Sequence, residues 1–478
     1  MPNRTLVTTL ALLLLAGTAL ARDSSPAREL ALEAAGQLED LTGEISRDLW
    51  KLSETALKEE RSAKLLSEVL AGEGFSVETG VAGLPTAFVA TWGEGRPIVG
   101  ILAEYDALPG VGNAAVPERS LREDGVTAGQ GCGHNLFGAA SVVGAIAVKR
   151  AMEEMGLEGT IRLYGTPAEE TLVGKVYMAR EGLFDDLDVG IDWHPETWTR
   201  TRNHPGRAMN SFTVEYFGQA AHGAADPWNG RSALDAVELM NYGVNLMREH
   251  VKPTARMHYV ITDGGDAPNV VPAYAKVWYY VRDVNRETVQ DYYDRILKIA
   301  EGAALATGTT HKVSLITGVH ECVMNRPLQE AVQANLELVG GPEFTDEEQA
   351  FARRLQRFLE IEEKGFVGEV LPLKDEVEPP QGGSTDVCEV SNIVPEVSFQ
   401  VTTAAAGVPW HNWATTACHG TSAGMKGAIV AAKVIALTAA DLVTDPELLA
   451  AARKDFLERS GGRPYRSPIP ADQPPPLP

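Results

Sequence analysis

Four short segments of this 478-residue chain place metal-ligating or proton-transferring side chains directly after apolar, strand-like runs. In the first, Glu104 and Asp106 lie two apart and share a strand face. The second, Gly131-Cys132-Gly133-His134, sets a thiol and an imidazole two apart, with glycines that let the backbone bring them together. The third ends in the adjacent pair Glu169-Glu170, and the fourth, residues 188–194, ends in His194. Thiolate, imidazole and carboxylate together suit zinc or a similar divalent ion. Neighbouring side chains point apart, so one glutamate of the pair is free to bind a metal while the other faces substrate and water as a general base. Each segment alone has a structural explanation: a buried thiol, solvated carboxylates, a hydrogen-bonded histidine. Four of them at the strand ends of one α/β unit argue for a metal site.

The surrounding elements follow from periodicity. Residues 27–70 carry helical apolar spacing and predict two amphipathic helices. Strands are predicted at 86–92 and 97–103, a buried helix at 136–155 and a strand at 160–164, which is the alternation of an α/β sheet with helices on its faces. After residue 207 the order becomes strand, helix, two strands, helix, strand, at 212–217, 232–249, 257–262, 275–281, 287–306 and 312–317. That β-α-β-β-α-β order matches a ferredoxin-like unit. The α/β style then resumes and runs to a long helix at 425–442. The expected division is a leader at 1–21, a larger domain at 22–207 and 321–465, a smaller domain inserted at 208–320, and a Pro-rich extended tail at 466–478.

Composition excludes several classes. The chain has 42 Lys+Arg against 65 Asp+Glu, a net charge of −23, and lacks a long basic cluster, so nucleic acid is excluded as the expected partner. Residues 1–21 have the charged, apolar and small-residue parts of a secretory signal, predicting cleavage after Ala21 and export to a bacterial periplasm. No later stretch reads as a membrane span, so no stable membrane insertion is expected. Cys132, Cys322, Cys388 and Cys418 form no CxxC pattern and do not read as a disulfide framework, with a single bridge left open.

With these segments, Gly218-Gln219-Ala220-Ala221-His222, Asn269-Val270-Val271-Pro272, Gly383-Ser384-Thr385-Asp386 and Pro409-Trp410-His411, the chain resembles the co-catalytic metal amidohydrolases and peptidases. These include aminoacylases, glutamate carboxypeptidases and auxin-conjugate hydrolases; the nearest branch is the aminobenzoyl-glutamate utilisation type. The likeness spans nearly the whole chain after the leader, in order. It implies a catalytic α/β domain with a central mixed sheet, plus a ferredoxin-like dimerisation domain. It also implies two divalent ions, zinc first and manganese or cobalt as alternatives. Cys132 would bridge them, Glu170 and His411 would complete one site, and His134 and His194 the other. The resemblance makes Glu169 the general base and Asp106 a carboxylate that orients a ligand. His222 and Asn269 would reach a partner subunit's site and hold the substrate carboxylate or oxyanion, so a homodimer is implied. Arg256 or Arg326 would assist with that carboxylate. The auxin-conjugate branch continues Cys-Gly-His differently from Asn135-Leu136-Phe137 here, which favours the aminobenzoyl-glutamate branch.

The implied activity is metal-dependent hydrolysis of N-acyl amino acids, aminobenzoyl-glutamate-like conjugates among them, through a water activated by the two ions. Dipeptide or carboxypeptidase cleavage is the alternative, and a non-catalytic periplasmic binding protein is a weaker one. Gly420-Thr421-Ser422-Ala423-Gly424 fits the GxSxG pattern of serine hydrolases. That fold needs a histidine after the serine, and the last one here is His419, so these residues read as the opening of the final helix.

Overall fold

In the computed structural model, which describes residues 25–380 and 383–478, the region expected to form two helices forms three. They are α1 (Pro26–Gln37), α2 (Glu39–Leu52) and α3 (Glu60–Gly72). The apolar periodicity continues across the first break because α1 and α2 face one core; Leu38 alone, at φ −104° and ψ 11°, leaves the helix. The leader and its cleavage point lie outside the described residues. Next come β1 (Ser76–Thr79), β2 (Phe88–Glu94), β3 (Ile98–Ala103), α4 (His134–Met155), β4 (Gly159–Gly165), α5 (Gly174–Arg180), β5 (Val189–Glu196) and β6 (Arg200–Thr201). β1 and β6, four and two residues long, are too short to show alternation in sequence.

The smaller sheet is built from β7 (Ala208–Phe217), α6 (Ala233–Met247), β8 (Arg256–Asp263), β9 (Tyr274–Asp283), α7 (Arg286–Thr307) and β10 (Thr310–Val319). Its order, β10-β7-β9-β8, is antiparallel throughout, as a ferredoxin-like unit requires. β9 alternates strictly, burying Ala275, Val277, Tyr279 and Val281 beneath α6 and α7. The chain then returns through α8 (Arg326–Val339), α9 (Asp346–Phe358), α10 (Val387–Ser391), β11 (Glu396–Thr402), α11 (Trp413–His419), α12 (Ser422–Thr444) and α13 (Pro446–Ser460).

The larger sheet is mixed, ordered β1-β2-β4-β3-β5-β11-β6. β4, β3, β5 and β11 are mutually parallel and β1, β2 and β6 run against their neighbours. α4 is buried between this sheet and α1 and α12. Small residues let α4 and α12 meet closely: a Cβ on Gly144 would stand 2.6 Å from Ile435 Cγ2.

Contrary to expectation, α12 is long and apolar enough to cross a membrane by length and composition, yet most of it is buried inside the fold. Its first turn explains the serine motif. Thr421 is the N-cap, accepting from the Gly424 N–H, and the Ser422 hydroxyl donates to Glu348 Oε1. Cys322 and Cys388 form a disulfide joining the segment after β10 to α10, while Cys132 and Cys418 are free. The terminal segment is fastened: Gln473 Nε2 donates to the Tyr177 hydroxyl and to Leu315 O, and Arg180 donates to Pro470 O.

Arg28 of α1 donates at 2.6 Å to both carboxylate oxygens of Asp441 on α12, and both side chains are almost fully buried. Arg28→Ala strands the carboxylate, so urea denaturation should show a loss of roughly 3–5 kcal/mol, with Arg28→Met/Asp441→Leu recovering most of it. A loss within the error of the titration would mean the pair is hydrated and carries no stability.

Candidate active site

Each chemistry-bearing residue sits where a parallel strand or a helix begins or ends. Glu104 and Asp106 follow β3, Glu169 and Glu170 follow β4, and His194 lies near the end of β5. Cys132 and His134 open α4, and His411 lies between β11 and α11. Gly133 makes the sharp entry into α4 at φ 82°, where a Cβ would lie 2.8 Å from Pro195 Cβ. Ala168, Leu172 and His411 also hold positive φ, so the segments carrying Glu169, Glu170 and His411 are strained into place.

The structure brings Cys132, His134, Glu170, His194 and His411 together. Cys132, His134 and His194 form one group of potential ligands, and Cys132, Glu170 and His411 a second, the atoms of each lying within 4.8 Å of one another. Cys132 belongs to both. A third group, Glu104, His134 and Glu169, gives Glu104 a place that its sequence motif does not specify. His134 Nδ1 lies 2.9 Å from Asp106 Oδ1, and a carboxylate can only accept, so Nδ1 carries a proton and Nε2 is the atom turned toward the other gathered residues; Cys132 and Asp106 together hold the imidazole well above its ordinary range despite burial. His194 Nδ1 is held in the same way by Pro195 O at 2.6 Å, leaving Nε2 toward Cys132 Sγ at 3.4 Å. Asp106 also accepts from the Glu170 N–H at 3.0 Å, so one carboxylate orients two of the gathered residues.

Three buried atoms here, Glu104 Oε2, His134 Nε2 and Glu170 Oε1, make no hydrogen bond of good geometry, although Glu104 Oε2 and His134 Nε2 stand 3.2 Å apart. Carboxylate and imidazole atoms left unsatisfied together in a buried site fit a divalent cation. Burial, reinforced by the nearby Asp106 and Glu104 carboxylates, pushes Glu170 up to about 8. Burial and Glu170 push the Cys132 thiol well above its ordinary range, and burial with Glu104 and Asp386 does the same to Glu169.

Several participants escape sequence analysis. Lys175 is fully buried on α5, its Nζ donating to Glu104 Oε1 at 2.6 Å and to Asp386 Oδ1 at 2.7 Å. The signal available was a lone cation in the apolar run Gly174-Lys175-Val176-Tyr177-Met178-Ala179. A cavity of about 560 Å³ opens over the ligand groups and is lined also by Trp198, Arg200, Arg202, His204, Tyr280 and Arg282. Arg256 and Arg326, expected to face a substrate carboxylate, do not line it: Arg256 is bound to Pro253 O and Ala255 O, and Arg326 is paired with Glu330. Trp410 lines the cavity, whereas Trp193 is core.

His222 and Asn269 also lie outside the cavity of their own protomer. They sit together on an exposed end of the smaller sheet, where His222 pairs with Val270 and Gly223 N–H donates to Asn269 O. The Ala224 and Ala225 N–H groups both donate to His222 Nδ1, so Nε2 carries the proton and points outward as a donor.

A model of the M20 peptidase dimerisation domain matches residues 206–307. The chain is 38% identical over 452 residues to a subunit of the p-aminobenzoyl-glutamate hydrolase of Escherichia coli (strain K12), covering 89% of this chain and 94% of the relative. The chain belongs to the M20 peptidase family. It is also 30% identical to the Xaa-Arg dipeptidase of Mus musculus, over 92% of this chain and 94% of that one. Two solved structures share the fold. An aminobenzoyl-glutamate utilization protein from Klebsiella pneumoniae has a TM-score of 0.58 at 18% identity, covering 85% of this chain and 97% of that one. A dinuclear metal binding peptidase from Bacillus subtilis has a TM-score of 0.56 at 17% identity, covering 86% and 99%. As an M20 member the chain is a hydrolase of the metallopeptidase and amidohydrolase type.

A divalent ion held by Cys132 and Glu170 would be loaded in exchange for protons. Glu170 and the Cys132 thiol are pushed up by burial, so both favour their protonated forms at neutral pH and would have to release protons to ligate. Affinity should therefore fall as pH is lowered from about 8 to 6, with about one or more protons released per chain on loading. Zinc titration calorimetry in two buffers of different ionisation enthalpy measures this; identical heats in both would refute it.

Proposed function

We propose that the chain hydrolyses the amide bond of N-acyl amino acids, aminobenzoyl-glutamate-like conjugates among them, using two divalent ions of which zinc is the first choice. The observation that carries this is the separation of the adjacent glutamates into different groups, Glu170 with Cys132 and His411, Glu169 with Glu104 and His134. Cys132 would bridge the ions, Glu170 and His411 would hold one, and His134 and His194 the other. Bound there, the ions would supply Lewis acidity to a water and to the amide carbonyl. Glu169 takes a proton from the attacking water and delivers it to the leaving amine. Its environment suits delivery, because burial beside Glu104 and Asp386 favours the protonated carboxyl. Asp106 keeps His134 in one tautomer and fixes the backbone at Glu170.

Glu169→Gln keeps the shape and removes the base. Metal content by plasma mass spectrometry should be unchanged, while kcat on an N-acyl amino acid falls by about 10²–10⁴. Near-normal turnover would remove Glu169 from this role, and loss of metal would make it a ligand.

We further propose a homodimer in which His222 and Asn269 complete the partner's site. β8 is an edge strand exposing Tyr259, Val260 and Ile261, and Tyr242 and Leu246 are exposed on α6. An unpaired apolar strand beside an apolar helix face is a surface that pairs with another copy. The outward Nε2–H of His222 suits an oxyanion or a carboxylate brought by that copy. Val260→Asp should sediment as a monomer and lose turnover with its metal content intact. A Val260→Asp protein that stays dimeric, or a monomer of full activity, would refute the arrangement.

A further inference from the structure

The cavity lining holds two unlike sets of groups. One is the candidate ligand groups with Glu169; the other is Arg200, Arg202, His204, Arg282 and Ser384, called here the arginine wall. Arg200 is satisfied in part, reaching Glu378 at 3.4 Å and Gln400 at 3.2 Å while stacking on Trp198. Arg202 makes one hydrogen bond, to His204 O, and Arg282 one contact, to Met209 Sδ, while stacking on Tyr280. Neither Arg202 nor Arg282 has a carboxylate within ion-pair distance among the described residues; the carboxyls that feel the Arg202 charge, Asp192 and Glu396, are buried and pushed up toward their neutral forms. His204 Nδ1 and Ser384 Oγ, on the same wall, are buried and without a partner.

Half-buried guanidinium groups without a counter-ion are costly, and their forked donors match a carboxylate. We propose that Arg202, Arg282 and Ser384, backed by Arg200 and His204, bind a second carboxylate of the substrate, so that the enzyme selects N-acyl derivatives of acidic amino acids. This rests on the amidohydrolase assignment above, where His222 and Asn269 of the other copy take the first carboxylate; the arginine wall then takes the side-chain carboxylate of a glutamate or aspartate conjugate. The same wall repels a basic side chain, which sets this chain apart in specificity from the similar Xaa-Arg dipeptidase.

The test uses zinc-loaded full-length protein and four matched substrates, N-benzoyl-glutamate, N-benzoyl-glutamine, N-benzoyl-alanine and N-benzoyl-arginine. The glutamine conjugate has the shape of the glutamate one without its charge. Wild type should prefer glutamate over glutamine by about 100-fold in kcat/KM, with arginine the poorest substrate. Arg202→Gln should raise KM for the glutamate conjugate and collapse that ratio to within a few-fold, and Arg282→Gln, tested alongside in case either variant misfolds, should do the same. Equal hydrolysis of the glutamate and glutamine conjugates by wild type, or an unchanged ratio in both variants, overturns the subsite and leaves the amidohydrolase assignment standing. Failure to cleave any of the four overturns both.

Discussion

Acidic groups crowded into a low-dielectric pocket cannot all ionise unless cations stand among them. Glu104, Asp106, Glu169 and Glu170 share such a pocket with Cys132, and the rest of the molecule answers to that constraint. Lys175 supplies one positive charge, but on one side only: it lies between Glu104 and Asp386. Burial alone would lower the lysine, yet Asp386 and Glu104 outweigh it and keep the ammonium charged. On the side holding Cys132, Glu170 and His411 the nearby positive charge is the His134 imidazole, which offsets burial only in part, so that Glu170 and the Cys132 thiol are still pushed up. A cation entering this pocket would therefore exchange with protons.

Topology is what makes the crowding achievable. β3, β4 and β5 run in parallel, so their ends lie at one edge of the sheet; the loops leaving β3 and β4 bring Glu104, Asp106, Glu169 and Glu170 there, and β5 itself brings His194. The N-terminus of α4 adds Cys132 and His134 from behind, anchored by a helix that is buried along its length. The left-handed residues Ala168, Leu172 and His411 hold the last few ligands in conformations that short loops would not choose unaided. A rigid scaffold beneath strained loops keeps the potential ligands within reach of one another.

The larger sheet, the inserted ferredoxin-like unit and the potential ligands were legible because each depends on local pattern: alternation, helical period, and ligand-type residues after apolar runs. What escaped depends on distance in sequence. Nothing near Lys175 signals that Asp386, over two hundred positions away, will accept from its ammonium. The arginine wall draws Arg200 and Arg202 from β6 and the turn after it, and Arg282 from β9, so no motif contains it. The Cys322–Cys388 bridge is hidden for the same reason. The third N-terminal helix was hidden by continuity of pattern, since one apolar stripe served adjacent helices facing one core. α12 inverts that difficulty: its composition is that of a membrane span, and only its packing against α4 and α1 shows it to be core.

The two sheets are therefore chemically as well as mechanically joined. Arg282 and Tyr280 reach the cavity from β9, while the ligand groups and Arg200 belong to the larger sheet, so a substrate bridging the two walls feels the position of both. The disulfide lies on the return path between them, tying the segment after β10 to α10. Asp386 immediately precedes that helix and accepts from both the backbone N–H and the ammonium of Lys175, which in turn donates to Glu104 beside His134. The segment after the smaller sheet is thereby linked, through the disulfide and the Lys175 ion pairs, to a carboxylate beside His134. Under the proposed function, the groups that would meet the amide and those that would meet the substrate's far end are joined by the same chain of contacts.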